Sequence, residues 1–264
     1  MFLLLSFMLI LACKKSDAIV MEEIEKPAPV KSVDTTKKPV DTTTTKKPTD
    51  TVKPQPADPN KGKQLNYLAL GDSYTIGESV ARIENFPNQL VGKLLEKGVI
   101  VNPPTIIART GWTTSELKEA IVSSGVIQKF DFVTLLIGVN NQYRGESLDT
   151  YRKEFKDLLN TALDYAKNDK THVFVVSIPD WGVTPFAKQI GRNVKTISQE
   201  IDAFNKVNRE ETLALGISYT DITPASRNAS TDSALIAQDG LHPSAKMYAD
   251  WALQLAPKII LEFK

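Results

Sequence analysis

From residue 64 onward the apolar positions follow two alternating rhythms. Short continuous runs end at Gly, Asn or Asp, and longer stretches repeat an apolar residue every three or four positions. Continuous runs read as strands with both faces covered, and the spaced stretches read as amphipathic helices. "NYLALGDS" predicts the first strand. "NFPNQLVGKLLEKG" predicts a helix with Leu90, Leu94 and Leu95 on one face and a stop at Gly98. "PTIIART" is a second strand, and "TTSELKEAIVSSG" opens with capping chemistry and continues as a helix. "FDFVTLLIGVNN" is a third strand. "SLDTYRKEFKDLLNTALDYAK" sets Tyr151, Phe155, Leu158, Leu159 and Ala162 on one helical stripe. "HVFVVSIPDWG" and "ISYTDIT" are the fourth and fifth strands, separated by the helical "VKTISQEIDAFNKVNREETLALG". "SAKMYADWALQLAPKIILEF" closes the chain as a helix with a bend expected near Pro257. Regular alternation of strand and helix implies a parallel sheet between two helical layers, a three-layer α/β/α domain over residues 64–264.

Before residue 64 neither rhythm is present. "MFLLLSFMLILAC" is an apolar stretch of about half the roughly 20 residues that span a bilayer. It resembles the apolar core of a secretory signal. Its end, Ile10-Leu11-Ala12-Cys13, resembles a bacterial lipobox, although no Lys or Arg precedes the apolar run. The resemblance implies cleavage after residue 12, lipidation of Cys13 and membrane attachment through that lipid. Lys14 after the cysteine points to the outer membrane of the cell envelope. Residues 13–63 are rich in Thr, Lys and Pro, and no aromatic residue occurs between Phe7 and Tyr67. Such a stretch cannot bury enough apolar surface to offset its chain entropy, so a disordered tether is expected. The Asp-Thr pairs at Asp34 and Asp41 resemble an O-glycosylation acceptor pattern, but low complexity accounts for them more simply.

Charge and cysteine content narrow the functional classes. With 32 basic and 31 acidic residues, the chain offers no electrostatic footprint for nucleic acid. Its one cysteine precludes an intrachain disulfide. Two histidines, His172 and His242, form no cluster with metal-ligand spacing, so neither a metal nor another cofactor is expected.

Ligands of open parallel sheets bind beyond the carboxyl ends of the strands. The residues expected on that rim are Asp72 and Ser73, then Arg109 to Trp112, then Asn140, Asn141 and Tyr143, then Asp180 and Trp181, and finally Asp239 and His242. Taken singly, each has a plain reading: Ser73 as a helix cap, Asp239 and His242 as a turn, Gly111 as a turn glycine. Together they offer the parts of a serine acyl transferase. Asp239 can hold the His242 tautomer that frees Nε2, and Nε2 can activate Ser73. The backbone amides of Ser73 and Gly111 and the Asn140 side chain are the donors available to a tetrahedral oxyanion. Trp112, Asn141, Tyr143, Asp180 and Trp181 are expected to line the substrate.

These residues resemble the SGNH, or GDSL-type, hydrolases. Gly71-Asp72-Ser73, Gly111, "GVNN" at 138–141 and Asp239-Gly-Leu-His242-Pro fall in the order of that family's four blocks. The resemblance covers about the last 200 residues. It implies a flavodoxin-like fold with a five-stranded parallel sheet and hydrolysis of esters through an acyl-enzyme. Ser73 is then the nucleophile, His242 the base, Asp239 its orienter, and Ser73, Gly111 and Asn140 the oxyanion hole. One departure is Asn141, where the third block usually carries Asp. The substrate implied is an acylated small molecule or glycan, most simply an acetylated carbohydrate. Alternatives are a lysophospholipase or acyl-thioesterase, or a glycan-binding module without catalysis. The oligomeric state is left open.

Overall fold

The computed structural model describes residues 64–264, so the expected signal, the tether and Cys13 lie outside the described residues. Strands β1 (Tyr67–Asp72), β2 (Thr105–Arg109), β3 (Phe132–Leu136), β4 (Val173–Val176) and β5 (Ser218–Thr220) form one sheet in the order β2-β1-β3-β4-β5. All four pairings are parallel. The helices are α1 (Ser73–Ile76), α2 (Phe86–Glu96), α3 (Thr114–Ser123), α4 (Val139–Tyr143), α5 (Leu148–Tyr165), α6 (Pro185–Gln189), α7 (Val194–Ala214), α8 (Thr223–Ser226) and α9 (Ala245–Phe263). α2 packs against α9, while α5 packs against both α3 and α7, so the sheet lies between two helical layers.

The strand pattern follows from burial. Every residue of β1, β3 and β4 is buried, which is why these segments are continuously apolar. Tyr67, Thr134 and the terminal Asp72 are the polar exceptions. The Tyr67 ring stacks on Phe132 at 4.4 Å, and its hydroxyl pairs with Thr134 Oγ1 at 2.7 Å.

The helices follow their caps and stripes. Thr113 and Glu116 form a reciprocal capping box at the start of α3. The five residues read as the α5 stripe are all fully buried. Leu90 and Leu94 are buried beneath α2, but Leu95 is 58% exposed, contrary to its expected place on that face. Five residues beyond Leu90 is about 140° around a helix, so Leu95 points away from the core. α9 runs from Ala245 to Phe263 through Pro257. Pro257 cannot donate to the Leu253 carbonyl, and Leu253 is exposed, so solvent can take that bond.

Sheet order places the site. β1 lies between β2 and β3, so the chain leaves its carboxyl end where connections diverge to either side, the usual position of a ligand crevice. Ser73 follows β1, Gly111 follows β2 and Asn140 follows β3. Gly138, which introduces Asn140, has φ +128°, and a Cβ there would lie 2.3 Å from Tyr151 Oη. No other residue fits this turn.

Candidate active site

Ser73, Gly111, Asn140 and His242 line one cavity of about 230 Å³ at the carboxyl ends of the strands. Ser73 is the first residue of α1, directly after Asp72, whose Oδ1 accepts the Tyr74 amide as a helix cap. His242 reaches the same cavity from the loop before α9. Its ring meets the edge of Tyr74 at 5.7 Å. Tyr74 in turn packs on Trp251 of α9, beside Phe86 and Tyr248. A buried aromatic cluster therefore supports both the serine turn and the imidazole.

The His242 loop is folded tightly on itself. The Ala237 amide donates to the His242 carbonyl, and Ile236 bridges Pro243. Asp239 Oδ1 accepts the backbone amides of Leu241 and His242, each at 2.9 Å. Its Oδ2 lies 2.5 Å from His242 Nδ1 and accepts the Ser79 hydroxyl at 2.6 Å. Partial burial pushes the Asp239 carboxyl up, but these four donors outweigh it and hold the group down at about 2. An ionised carboxylate only accepts, so Nδ1 carries a proton and Nε2 is the nitrogen left to accept one.

The donor side is equally defined. Gly111 has φ +88°, and only Arg144 Nη2, at 3.9 Å, would meet a Cβ there. Glycine is thus required for its left-handed backbone rather than for room. The Gly111 carbonyl accepts from Arg144 Nη2 at 2.6 Å, and Arg144 also pairs with Glu116. One hydrogen of the Asn140 amide goes to the Trp112 carbonyl at 2.9 Å, leaving the second for a ligand.

These blocks carry a family assignment. A family model described as GDSL-like lipase/acylhydrolase matches residues 69–249. The chain belongs to the GDSL-like lipase/acylhydrolase family, and it is a serine hydrolase of that family. No curated protein sequence matches it significantly. Among solved structures it is similar to a lipase/acylhydrolase from Enterococcus faecalis, at 19% identity and TM-score 0.60, over 76% of this chain and 98% of that one. It is also similar to Axe2, an acetylxylan esterase from Geobacillus stearothermophilus, at 20% identity and TM-score 0.56, over 77% and 96%. TesA is similar at 15% identity and TM-score 0.55, over 74% and 97%. At these identities the likeness is one of fold.

The walls of this GDSL-like hydrolase differ in part from the sequence reading. Tyr143 and Trp181 do line the cavity, joined by Val139, Phe186 and Leu241, which the sequence did not mark. Tyr143 and Trp181 meet edge to face at 5.5 Å, with the Arg192 guanidinium over both rings. Trp112 was expected on the wall but is half-buried against the core. Asn141 is fully buried and also lies off the cavity. It accepts the Thr114 amide and donates to Thr114 Oγ1 and Glu146 Oε2, each donation at 2.7 Å. The Glu146 carboxylate needs a donor there, which an ionised Asp could not supply; this accounts physically for the departure from the family block. Asp180 faces away too, capping the 181–183 turn through Gly182 and pairing with Arg227 at 2.9 Å. His172 stacks on Phe263 outside the cavity.

Proposed function

We propose that the protein is a serine esterase that removes short acyl groups, acetyl foremost, from carbohydrate. Ser73 Oγ attacks the ester carbonyl carbon while His242 Nε2 takes its proton. Asp239 holds the imidazole and stabilises the imidazolium. The Ser73 and Gly111 amides and the Asn140 side chain receive the oxyanion, a single such donor contributing about 3–4 kcal/mol of barrier reduction. Collapse expels the alcohol, which takes the proton from His242 and leaves an acyl-Ser73 ester. Water, deprotonated by the same imidazole, then releases the carboxylic acid.

The observation that carries this reading is that His242, paired with Asp239, lines the same cavity as Ser73, Gly111 and Asn140. The volume of about 230 Å³ suits a short acyl group, and the exposed ring of Tyr143 suits the apolar face of a sugar ring. An acyl-chain enzyme is the second reading, favoured by the apolar Val139, Phe186 and Leu241 walls. Lipidation at Cys13 belongs to the same proposal and places the domain at the cell envelope. Purified protein is assayed on p-nitrophenyl acetate, octanoate and palmitate, and on acetylated oligosaccharide. The carbohydrate reading predicts preference for acetate and release of acetic acid from the oligosaccharide. Preference for palmitate would replace it with the lipid reading.

A further inference from the structure

The turn that leaves α1 contacts both the Gly111 loop and the His242 loop. Gly77 is left-handed, and Asn85 secures the turn by donating from Nδ2 to the Ile76 carbonyl at 2.9 Å. The Glu78 carboxylate accepts the hydroxyl of Thr110, the neighbour of Gly111. Ser79 reaches the other way, and its hydroxyl donates to Asp239 Oδ2 at 2.6 Å, across 160 positions of sequence. That oxygen is the one that meets His242 Nδ1. Ser79 has φ +66°, a conformation that glycine adopts freely and serine does not.

The other donors to Asp239 all come from residues 241 and 242 of its own loop. Among the described residues, Ser79 is the side chain that ties this carboxylate to the segment carrying Ser73. A glycine would satisfy the backbone better, but it would lack the hydroxyl. Strain kept at a solvent-exposed serine therefore has its counterpart in one long-range contact with the site.

We propose that Ser79 is a positioning residue for hydrolysis: its hydroxyl fixes the Asp239 carboxylate that orients His242, and its left-handed backbone is retained for that contact. The proposal rests on the roles given above to Asp239 and His242. It is tested on the full chain with p-nitrophenyl acetate, using Ser79→Ala, Ser79→Gly, Asp239→Asn and the double variant Ser79→Ala/Asp239→Asn. Both Ser79 variants are expected to lower kcat about tenfold at nearly constant KM, the low end for a hydrogen bond to a charged group because the site is exposed. Ser79→Gly is expected to melt at or above the wild-type temperature, because it releases the backbone strain. In the Asp239→Asn background, Ser79→Ala is expected to change kcat by less than about twofold. Full kcat in Ser79→Gly would overturn the proposal, as would an undiminished tenfold loss in the Asp239→Asn background. If Asp239→Asn itself retains full kcat, the assignment of Asp239 fails and takes the Ser79 role with it. If Asp239→Asn is crippled while Ser79→Gly is unimpaired, the Ser79 role alone is lost.

Discussion

Two buried aspartates stand at opposite ends of adjacent strands. Asp131 precedes β3 at the amino end of the sheet, and Asp72 ends β1 at the carboxyl end. Asp131 accepts the Asn66 amide at 2.8 Å and meets Lys167 Nζ at 3.0 Å. Asp72 accepts the Tyr74 amide through Oδ1, but its buried Oδ2 has no hydrogen-bond partner among the described residues. Full burial pushes the Asp72 carboxyl up to about 7, against opposing backbone hydrogen bonds. Left-handed residues occur at both ends of the sheet as well. Lys167 and Asn168 terminate α5 locally, with the Asn168 amide returning to the Leu163 carbonyl, whereas Ser79 is matched by the distant Asp239. The amino end resolves its polar and backbone demands for stability. The carboxyl end leaves an unmatched oxygen and a strained turn beside Ser73, as functional sites do when geometry takes precedence over stability.

The same substitution at the two aspartates is expected to act with opposite sign. Asp72→Asn keeps the cap to Tyr74 and removes a group that resists ionisation. Because folding raises the Asp72 value from 3.8 to about 7, its favourable contribution is complete below about pH 4 and is lost as pH rises through 7. Asp72→Asn is therefore expected to stabilise the domain on the order of 2 kcal/mol at pH 8 and negligibly at pH 4. Urea melts at both pH values check this, and equal effects at pH 4 and 8 would contradict it. Asp131→Asn is expected to destabilise by about 1 kcal/mol at pH 8, since its Lys167 partner is largely exposed, with kcat per folded molecule unchanged. A stabilising Asp131→Asn would erase the contrast between the two ends.

How much of this was legible in sequence depends on whether the information was local. Strands, caps and the α5 stripe follow from nearest-neighbour periodicity, and the rim residues follow from where each strand stops. Strand-end position does not fix which way a side chain turns. Asn141 and Asp180 were placed on the rim, yet Thr114, Glu146 and Arg227 draw them inward or away. Phe186 reaches the cavity from the short helix α6 and Leu241 from a turn, neither of which carries a periodic signal. Ser79 and Arg144 act through contacts 160 and 33 positions away, which no local pattern announces.

The central claim is that Ser73 is the nucleophile and that His242 activates it. Mass spectrometry of the protein treated with a fluorophosphonate tests this most directly. The account predicts one adduct per molecule, on the peptide carrying Ser73, with labelling strongly slowed in His242→Ala and ester hydrolysis reduced about 10⁴–10⁶-fold in Ser73→Ala. An adduct on another residue, or full hydrolysis by Ser73→Ala, would contradict it.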